Sequence, residues 1–363
     1  MIRTMITFIK KKIILPLIIA LSLAASPVLA MKPVTIQAQG SFMAGGKVIQ
    51  SAGVYDGSDP SNFAGETLHD DHAYVFYQIP VKTKKYSLVF LHGYGQSGKS
   101  WETTPDGRDG FQNIFLERGY KTFIVDQPRR GRAGQSTEPY TFAARPDDQL
   151  WYNTFRIGEY PNYYANTKVP RDEESLSQFF HQMTPSFPTE QKIIVDAMIA
   201  VFEKSGEGIL ITHSAGGGPG WETAMRSDKV KAVISLEPGA FPFPEGEVPP
   251  TEETTSLFPA VGEAVSMADF MRLTKIPIVV YFGDNIPSGD KPVANWGQDN
   301  WRTRLNLARK WAAVVNKYGG DAQIVYLPDI GVKGSTHFMM ADLNNVEVAD
   351  VMERWLKSKG LAK

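Results

Sequence analysis

From residue 86 to the carboxyl terminus the chain alternates short apolar runs with helical stretches, and this alternation restricts the fold more than any other feature of the sequence. The runs at 86–91, 121–125, 208–212, 230–236, 276–282 and 322–327 are short, and most are rich in Val, Ile or Leu. Helical patterns occupy 110–118, 189–204, 217–226, 300–317 and 345–359. The last carries Val348, Val351, Trp355 and Leu356 on one stripe and ends in Lys357, Lys359 and Gly360, which are stop signals. Strands without polar alternation, each followed by a helix, imply a mostly parallel sheet covered by helices on both faces. Upstream, 34–49 and 72–79 read as strands of a β-meander, broken by Gly45-Gly46 and by polar turns.

Two segments leave this rhythm. Residues 128–188 are long, Pro-punctuated and aromatic, with Trp151, Tyr152, Phe155, Tyr160, Tyr163, Tyr164, Phe179 and Phe180. Residues 238–275 are rich in Pro and Glu and end in an apolar tail. Loops this long in a compact domain are usually functional, so both are expected to be lid-like insertions above the carboxyl ends of the strands. The remainder of 31–363 is expected to form a single domain.

The amino terminus reads as an address. Arg3 and Lys10, Lys11 and Lys12 precede an apolar stretch over 13–25 that closes in Ser26-Pro27-Val28-Leu29-Ala30. This is the layout of a secretory signal peptide, residues 1–30, with cleavage expected after Ala30. The mature protein is therefore expected in a periplasm or outside the cell, with no membrane attachment after cleavage. Lys plus Arg total 38 against 39 for Asp plus Glu, so no net field exists to hold nucleic acid. The chain has no Cys, which excludes disulfides, thiolate metal ligands and thiol nucleophiles. Any nucleophile must be an oxygen or a nitrogen.

One strand exit supplies such an oxygen. The run Gly208-Ile209-Leu210-Ile211-Thr212-His213 leads directly into Ser214, then Ala215-Gly216-Gly217 opens a helix. A Ser on a sharp strand-to-helix turn projects its hydroxyl freely, and the amide of Ala215 can face an oxyanion. An earlier strand ends in His92-Gly93-Tyr94-Gly95, a turn able to aim the Tyr94 amide at the same point. Two later strands end in carboxylates, Glu237 and Asp284. A final loop carries His337, the only His after Ser214. Ser, acid and His thus sit in that order at strand exits on one sheet edge. By position alone either Glu237 or Asp284 could serve as the acid.

At this point the chain resembles the α/β-hydrolase superfamily, and more narrowly secreted bacterial esterases with a Ser-Glu-His triad. The resemblance rests on His92-Gly93, Asp126-Gln127-Pro128-Arg129-Arg130-Gly131, Thr212-His213-Ser214, Leu236-Glu237-Pro238-Gly239 and Thr336-His337-Phe338. It implies an α/β-hydrolase fold and ester hydrolysis through an acyl-enzyme, with Ser214 as nucleophile, His337 as base and Glu237 as acid. Asp284 occupies the commoner superfamily position and stays as the alternative acid. No cofactor and no metal are implied, and the substrate class is a small-molecule ester. Thr212 stands where the usual G-x-S-x-G elbow has its first Gly.

Competing signals are present. Gly93-Tyr94-Gly95-Gln96-Ser97-Gly98-Lys99-Ser100 satisfies the phosphate-loop pattern G-x-x-x-x-G-K-[ST] after a strand, giving nucleotide binding as the rival reading. That reading needs a helix immediately after the loop, and Pro105 and Gly107 interrupt the stretch. A non-catalytic binding protein on a hydrolase scaffold is the third reading. His69-Asp70-Asp71-His72 superficially resembles a metal cluster, but consecutive strand residues alternate faces, so a solvated turn is expected. Arg129, Arg130 and Arg132 are expected to form structural ion pairs, and His92 and His213 to order nearby backbone.

Overall fold

The computed structural model describes residues 33–363, so the expected leader at 1–30 lies outside the described residues. In chain order β1 (Ile36–Gln50) and β2 (Thr67–Pro80) come first, then β3 (Ser87–Leu91), α1 (Phe111–Glu117) and β4 (Thr122–Asp126). Next come α2 (Asp148–Thr154), the two-residue strands β5 (Gly158–Glu159) and β6 (Asn162–Tyr163), and α3 (Glu173–His181). After these run α4 (Gln191–Ser205), β7 (Gly208–His213), α5 (Gly217–Arg226) and β8 (Val230–Leu236). Short strands β9 (Phe241–Pro244) and β10 (Gly262–Val265) and helix α6 (Met267–Leu273) precede β11 (Pro277–Phe282), α7 (Trp296–Lys317), β12 (Asp321–Tyr326) and α8 (Asn345–Ser358).

Eight strands form one sheet in the order β1-β2-β4-β3-β7-β8-β11-β12. β1 pairs antiparallel with β2, and β2 antiparallel with β4; every other pairing is parallel. Side chains of the parallel strands go alternately to two cores, as the two-residue period of a strand requires. Val89, Leu91, Leu210, Val233, Val280 and Phe282 pack with α4, α5, α6 and α7. Leu88, Phe90, Ile209, Ile211, Ile234 and Tyr281 pack with α1 and α8. Both faces are covered, which is why these strands carry no polar alternation.

Two local expectations change. β1 is a single strand of 15 residues, not one broken at Gly45-Gly46. Gly45 has φ +70°, and a Cβ there would lie 2.8 Å from the Ala197 Cα of α4, so the glycine admits a helix rather than a turn. Residues 69–72 sit within β2, paired to β1, instead of in a solvated turn. Asp71 is buried there by Arg129, whose Nε and Nη2 donate to it at 2.7 and 3.0 Å, and by the Thr137 hydroxyl at 2.5 Å.

α7 begins a turn before its expected start at 300. Its Asn295 cap accepts from the Gln298 amide at 3.0 Å, and Gly297 in the first turn weakens the helical pattern. Trp311 of this helix is fully buried, with its ring 4.8 Å from that of Trp221 on α5 and 5.4 Å from that of Phe241 on β9. It joins three elements, so truncation leaves a cavity that none of them can fill alone. Trp311→Ala should destabilise the protein by about 3–5 kcal/mol, read as a lower urea midpoint with an unchanged m-value.

Candidate active site

β7 delivers Ser214 at its carboxyl end. Ser214 has φ +54°, in the left-handed region that costs a non-glycine residue about 1–3 kcal/mol. The turn is tight because its neighbours are small: a Cβ on Gly93 would stand 2.8 Å from Ser214 Cβ and 3.1 Å from the His213 carbonyl oxygen. Gly239 donates its amide to the Ser214 carbonyl at 3.0 Å and ties the elbow to the exit of β8. Thr212, the departure from the usual elbow, fits because α5 has glycine at 220, where a Cβ would meet the Thr212 methyl at 2.5 Å. The Thr212 hydroxyl is paired with that of Ser235 on β8 at 2.7 Å.

The expected oxyanion donors lie beside this turn. Tyr94 and Ala215 line the same cavity as Ser214, and the Tyr94 amide donates to no acceptor among the described residues. The loop carrying Tyr94 is held from two sides. His92 Nε2 accepts from the Gln127 amide at 3.2 Å, leaving Nδ1 to donate to the Gly93 carbonyl at 2.9 Å. From residues 183–186, Ser186 Oγ accepts the Gly95 amide at 3.0 Å, and the Thr184 amide donates to the Gly95 carbonyl at 2.8 Å. Burial pushes the His92 imidazole down to about 4, so it stays neutral.

Of the two carboxylates, the structure brings Glu237 to the imidazole. His337 Nδ1 lies 2.6 Å from Glu237 Oε2. Since a carboxylate only accepts, Nδ1 carries the proton and Nε2 is left with a bare lone pair. Glu237 Oε1 also accepts the Gly283 amide at 2.7 Å from the end of β11. Asp284 instead pins the histidine loop: Oδ2 accepts from the Gly334 amide at 2.7 Å and from Asn166 Nδ2 at 2.8 Å. Ser214 and His337 line one cavity, and no hydrogen bond of Ser214 Oγ occurs among the described residues. Such contacts are commonly long before substrate binds.

Arg156, which no sequence motif marks, completes the arrangement. Its guanidinium is fully buried and grips Glu237 in two places, with Nη1 to Oε2 at 3.1 Å and Nη2 to Oε1, while Nε donates to the Asp284 carbonyl at 2.8 Å. Burial raises the Glu237 pKa, but the Arg156 charge and the His337 bond outweigh it and hold the carboxyl below its ordinary value. For His337 the balance runs the other way. Burial lowers its pKa, Glu237 pulls it up, and the positive charges of Arg156 and Arg304 oppose Glu237; the net shift is downward.

Aromatic rings and a second histidine enclose the imidazole. The ring of Trp301 lies 4.3 Å from that of His337, Phe155 5.1 Å and His213 4.4 Å. The Phe155 carbonyl accepts the His337 amide at 3.1 Å, and His213 Nε2 donates to the His337 carbonyl at 3.0 Å. His213 therefore links the elbow directly to the histidine loop. Burial and the nearby His337 keep it well below the ordinary imidazole range, so it is a neutral brace.

The cavity over Ser214 has a volume of about 390 Å³, within the range of small-molecule sites. Trp151, Phe155, Phe258, Trp301 and Phe338 give it apolar walls, and the two segments outside the βα rhythm supply the first three. A larger open groove of about 810 Å³, lined by Pro33, Pro80 and Leu116, lies at the amino ends of β3 and β4 and carries no histidine. The phosphate-loop reading does not survive the geometry. The segment leads into a single 3-10 turn, Gly98–Trp101, and the Gly98 amide already donates to Asp126 Oδ1 at 2.6 Å. Lys99 Nζ is spent on the Thr103 carbonyl at 2.6 Å. A carboxylate thus occupies the place of a phosphate oxygen. Arg132 pairs with Asp126 and Arg129 with Asp71, while Arg130 Nη1 donates to the Phe187 carbonyl at 2.8 Å, so all three arginines brace structure.

Comparison with known proteins agrees with this architecture. A family model described as the alpha/beta hydrolase family matches residues 88–362. A protein described as "Probable secreted lipase phiG", from Fungal sp. (strain ATCC 74256), is 25% identical over 339 residues, covering 84% of this chain and 91% of that protein. The solved structure described as the atomic resolution structure of a novel bacterial esterase shares 30% identity with a TM-score of 0.71, covering 90% of this chain and 97% of that one.

Removing Arg156 leaves the Glu237 carboxylate buried without its counter-charge. Arg156→Met should therefore cost about 3–5 kcal/mol of stability, measured as a lower denaturation midpoint. A midpoint within experimental error of wild type would show that the pair carries no such burden.

Proposed function

The chain belongs to the alpha/beta hydrolase family, and on that premise we propose that it is an exported serine esterase in which Ser214, His337 and Glu237 form the catalytic triad. One observation carries the reading: Glu237 accepts from His337 Nδ1 at 2.6 Å, which reserves the unprotonated Nε2 for the cavity that Ser214 lines. The lipase relative and the esterase structure favour an ester as substrate. The description of that relative as secreted agrees with the signal-like residues 1–30.

In this mechanism Ser214 Oγ attacks the ester carbonyl carbon as its proton passes to His337 Nε2. Negative charge collects on the former carbonyl oxygen, where the amides of Tyr94 and Ala215 receive it. Collapse breaks the bond to the alkoxy oxygen, which takes the proton from His337 and leaves as the alcohol. Water, deprotonated by His337, then attacks the acyl-Ser214 ester, and the second collapse returns the proton to Ser214 and releases the carboxylic acid. Glu237 holds the imidazole tautomer throughout and offsets the imidazolium charge. Side chains, two backbone amides and water supply the proton transfers, nucleophiles and charge stabilisation, so this reaction needs no cofactor. Residues 31–363 act as one catalytic domain, with 128–188 and 238–275 covering the cavity.

A fluorophosphonate probe should label wild-type protein and not Ser214→Ala; an unlabelled wild type would favour the binding-protein reading. On 4-nitrophenyl butyrate, Ser214→Ala should lower kcat by about six orders of magnitude and Glu237→Gln by about four, and Asp284→Asn far less. The reverse ranking of the two acid variants would make Asp284 the triad acid. Because His337 is held below the ordinary imidazole value of about 6.5, its base form persists as pH falls past that value. The acid limb of kcat/KM should have its midpoint lower than this, and a midpoint at or above it would contradict the assignment.

A further inference from the structure

The part of the cavity wall formed by α7 carries hydrogen-bond donors that the reaction does not use. Arg304, on α7, lines the cavity; among its nitrogens only Nη1 makes hydrogen bonds within the described residues, donating to the Phe258 carbonyl at 3.0 Å, the Asn300 carbonyl at 3.1 Å and Asn300 Oδ1 at 2.5 Å, and the guanidinium carbon lies 5.6 Å from the centre of the Trp301 ring. Nε and Nη2 donate to nothing among the described residues and are not sealed off from solvent. No carboxylate among the described residues forms an ion pair with Arg304. Burial, the one cause acting on it, lowers its pKa to about 10, so the guanidinium remains charged at neutral pH.

One turn earlier on the same helix, Asn300 adds a second donor. Its Oδ1 accepts from both Arg304 Nη1 and the Ser256 hydroxyl, which fixes the orientation of the amide. Nδ2, with two protons to give, has no acceptor among the described residues, although the residue is only 2% exposed and lines the cavity. Arg145 and Asp147 also line the cavity, so its charged residues sum to one excess positive charge. A half-buried cation with two N–H positions free of protein acceptors, beside an amide likewise free, offers an anion in this pocket several charge-assisted hydrogen bonds at once. Trp301 touches both neighbours, the Arg304 guanidinium and the His337 ring, whose centre lies 4.3 Å from its own.

We infer that the site selects esters bearing a second, ionised carboxylate, bound by Arg304 Nε and Nη2 and by Asn300 Nδ2 while the ester carbonyl lies at Ser214. This rests on the esterase reading above and names the substrate class for the same site. The planar guanidinium can take a carboxylate on two parallel bonds, and such charge-assisted pairs are the strong ones.

Two matched substrate pairs place the charge on either side of the ester: mono-4-nitrophenyl adipate against its methyl ester, and 4-acetoxybenzoate against methyl 4-acetoxybenzoate. Wild type should favour the anionic member of at least one pair by about tenfold to a hundredfold in kcat/KM, chiefly through KM. Arg304→Gln should bring that ratio near or below one, and Arg304→Lys should restore part of it. Each ratio is taken within one variant, so a general loss of activity or of folding cancels. Should Arg304→Gln be inactive on all four esters, competition in wild type decides: hexanoate should inhibit hydrolysis of 4-nitrophenyl hexanoate at least tenfold more strongly than hexanamide. Preference for the neutral member of both pairs, an unchanged ratio in Arg304→Gln, or equal inhibition by acid and amide overturns the inference. Loss of Ser214-dependent hydrolysis of the neutral esters in wild type would instead overturn the esterase reading itself.

Discussion

Four separate parts of the chain meet at the Glu237 carboxylate. Arg156 comes from the long segment after β4, Gly283 from the exit of β11, His337 from the loop after β12, and Glu237 itself from the exit of β8. Taking a carboxylate out of water costs several kcal/mol, and the arrangement repays this only because its oxygens are satisfied by Arg156, His337 and Gly283. If Arg156 leaves, the rest face a buried, uncompensated charge; if His337 or Gly283 leaves, a buried carboxylate oxygen loses a donor. The pair therefore specifies where the histidine loop and the segment around Arg156 must sit, and Asp284 reinforces the constraint by pinning Gly334 and Asn166.

Strain accumulates at the same place. Ser214, Glu237 and Arg156 all hold positive φ without being glycine. Left to itself, each would relax toward the ordinary helical or extended regions. The parallel sheet prevents this: Glu237 donates its amide to the Tyr281 carbonyl, and Ser214 is trapped between Gly93 and Gly239. The two packed cores on either face of the sheet supply the rigidity against which three unfavourable backbone positions, each costing about 1–3 kcal/mol, are maintained.

Much of this was legible before any coordinates. Fully buried parallel strands announce themselves as unbroken apolar runs, and the strand exits at Ser214, Glu237 and Asp284 follow from where those runs stop. The choice between the two acids was not readable from position, because both carboxylates end neighbouring strands, β8 and β11, and only the side-chain direction separates them. Arg156 was invisible for a different reason. It lies in an irregular, aromatic segment with no periodicity to assign it a face, and its role depends on a partner 81 residues away. Gly45-Gly46 misled because glycine pairs usually mark turns; here the missing side chain makes room for α4, a tertiary requirement that the local sequence does not display. The phosphate-loop pattern, already disfavoured by Pro105 and Gly107, records glycines and a lysine but not the carboxylate of Asp126 that occupies the Gly98 amide.

If His337 is the base, as proposed, the cations around it have a use, because its partner Glu237 is a full carboxylate. Glu237 alone raises the His337 pKa and so favours imidazolium. Burial counters that effect, and Arg156 counters it further by sharing the carboxylate. Arg304 pushes in the same direction from the cavity side. A negative group beside Arg304 would screen that last contribution just as the reaction begins to place positive charge on the imidazole. On the two proposals together, an anionic substrate would bring with it a small part of the stabilisation its own transition state requires.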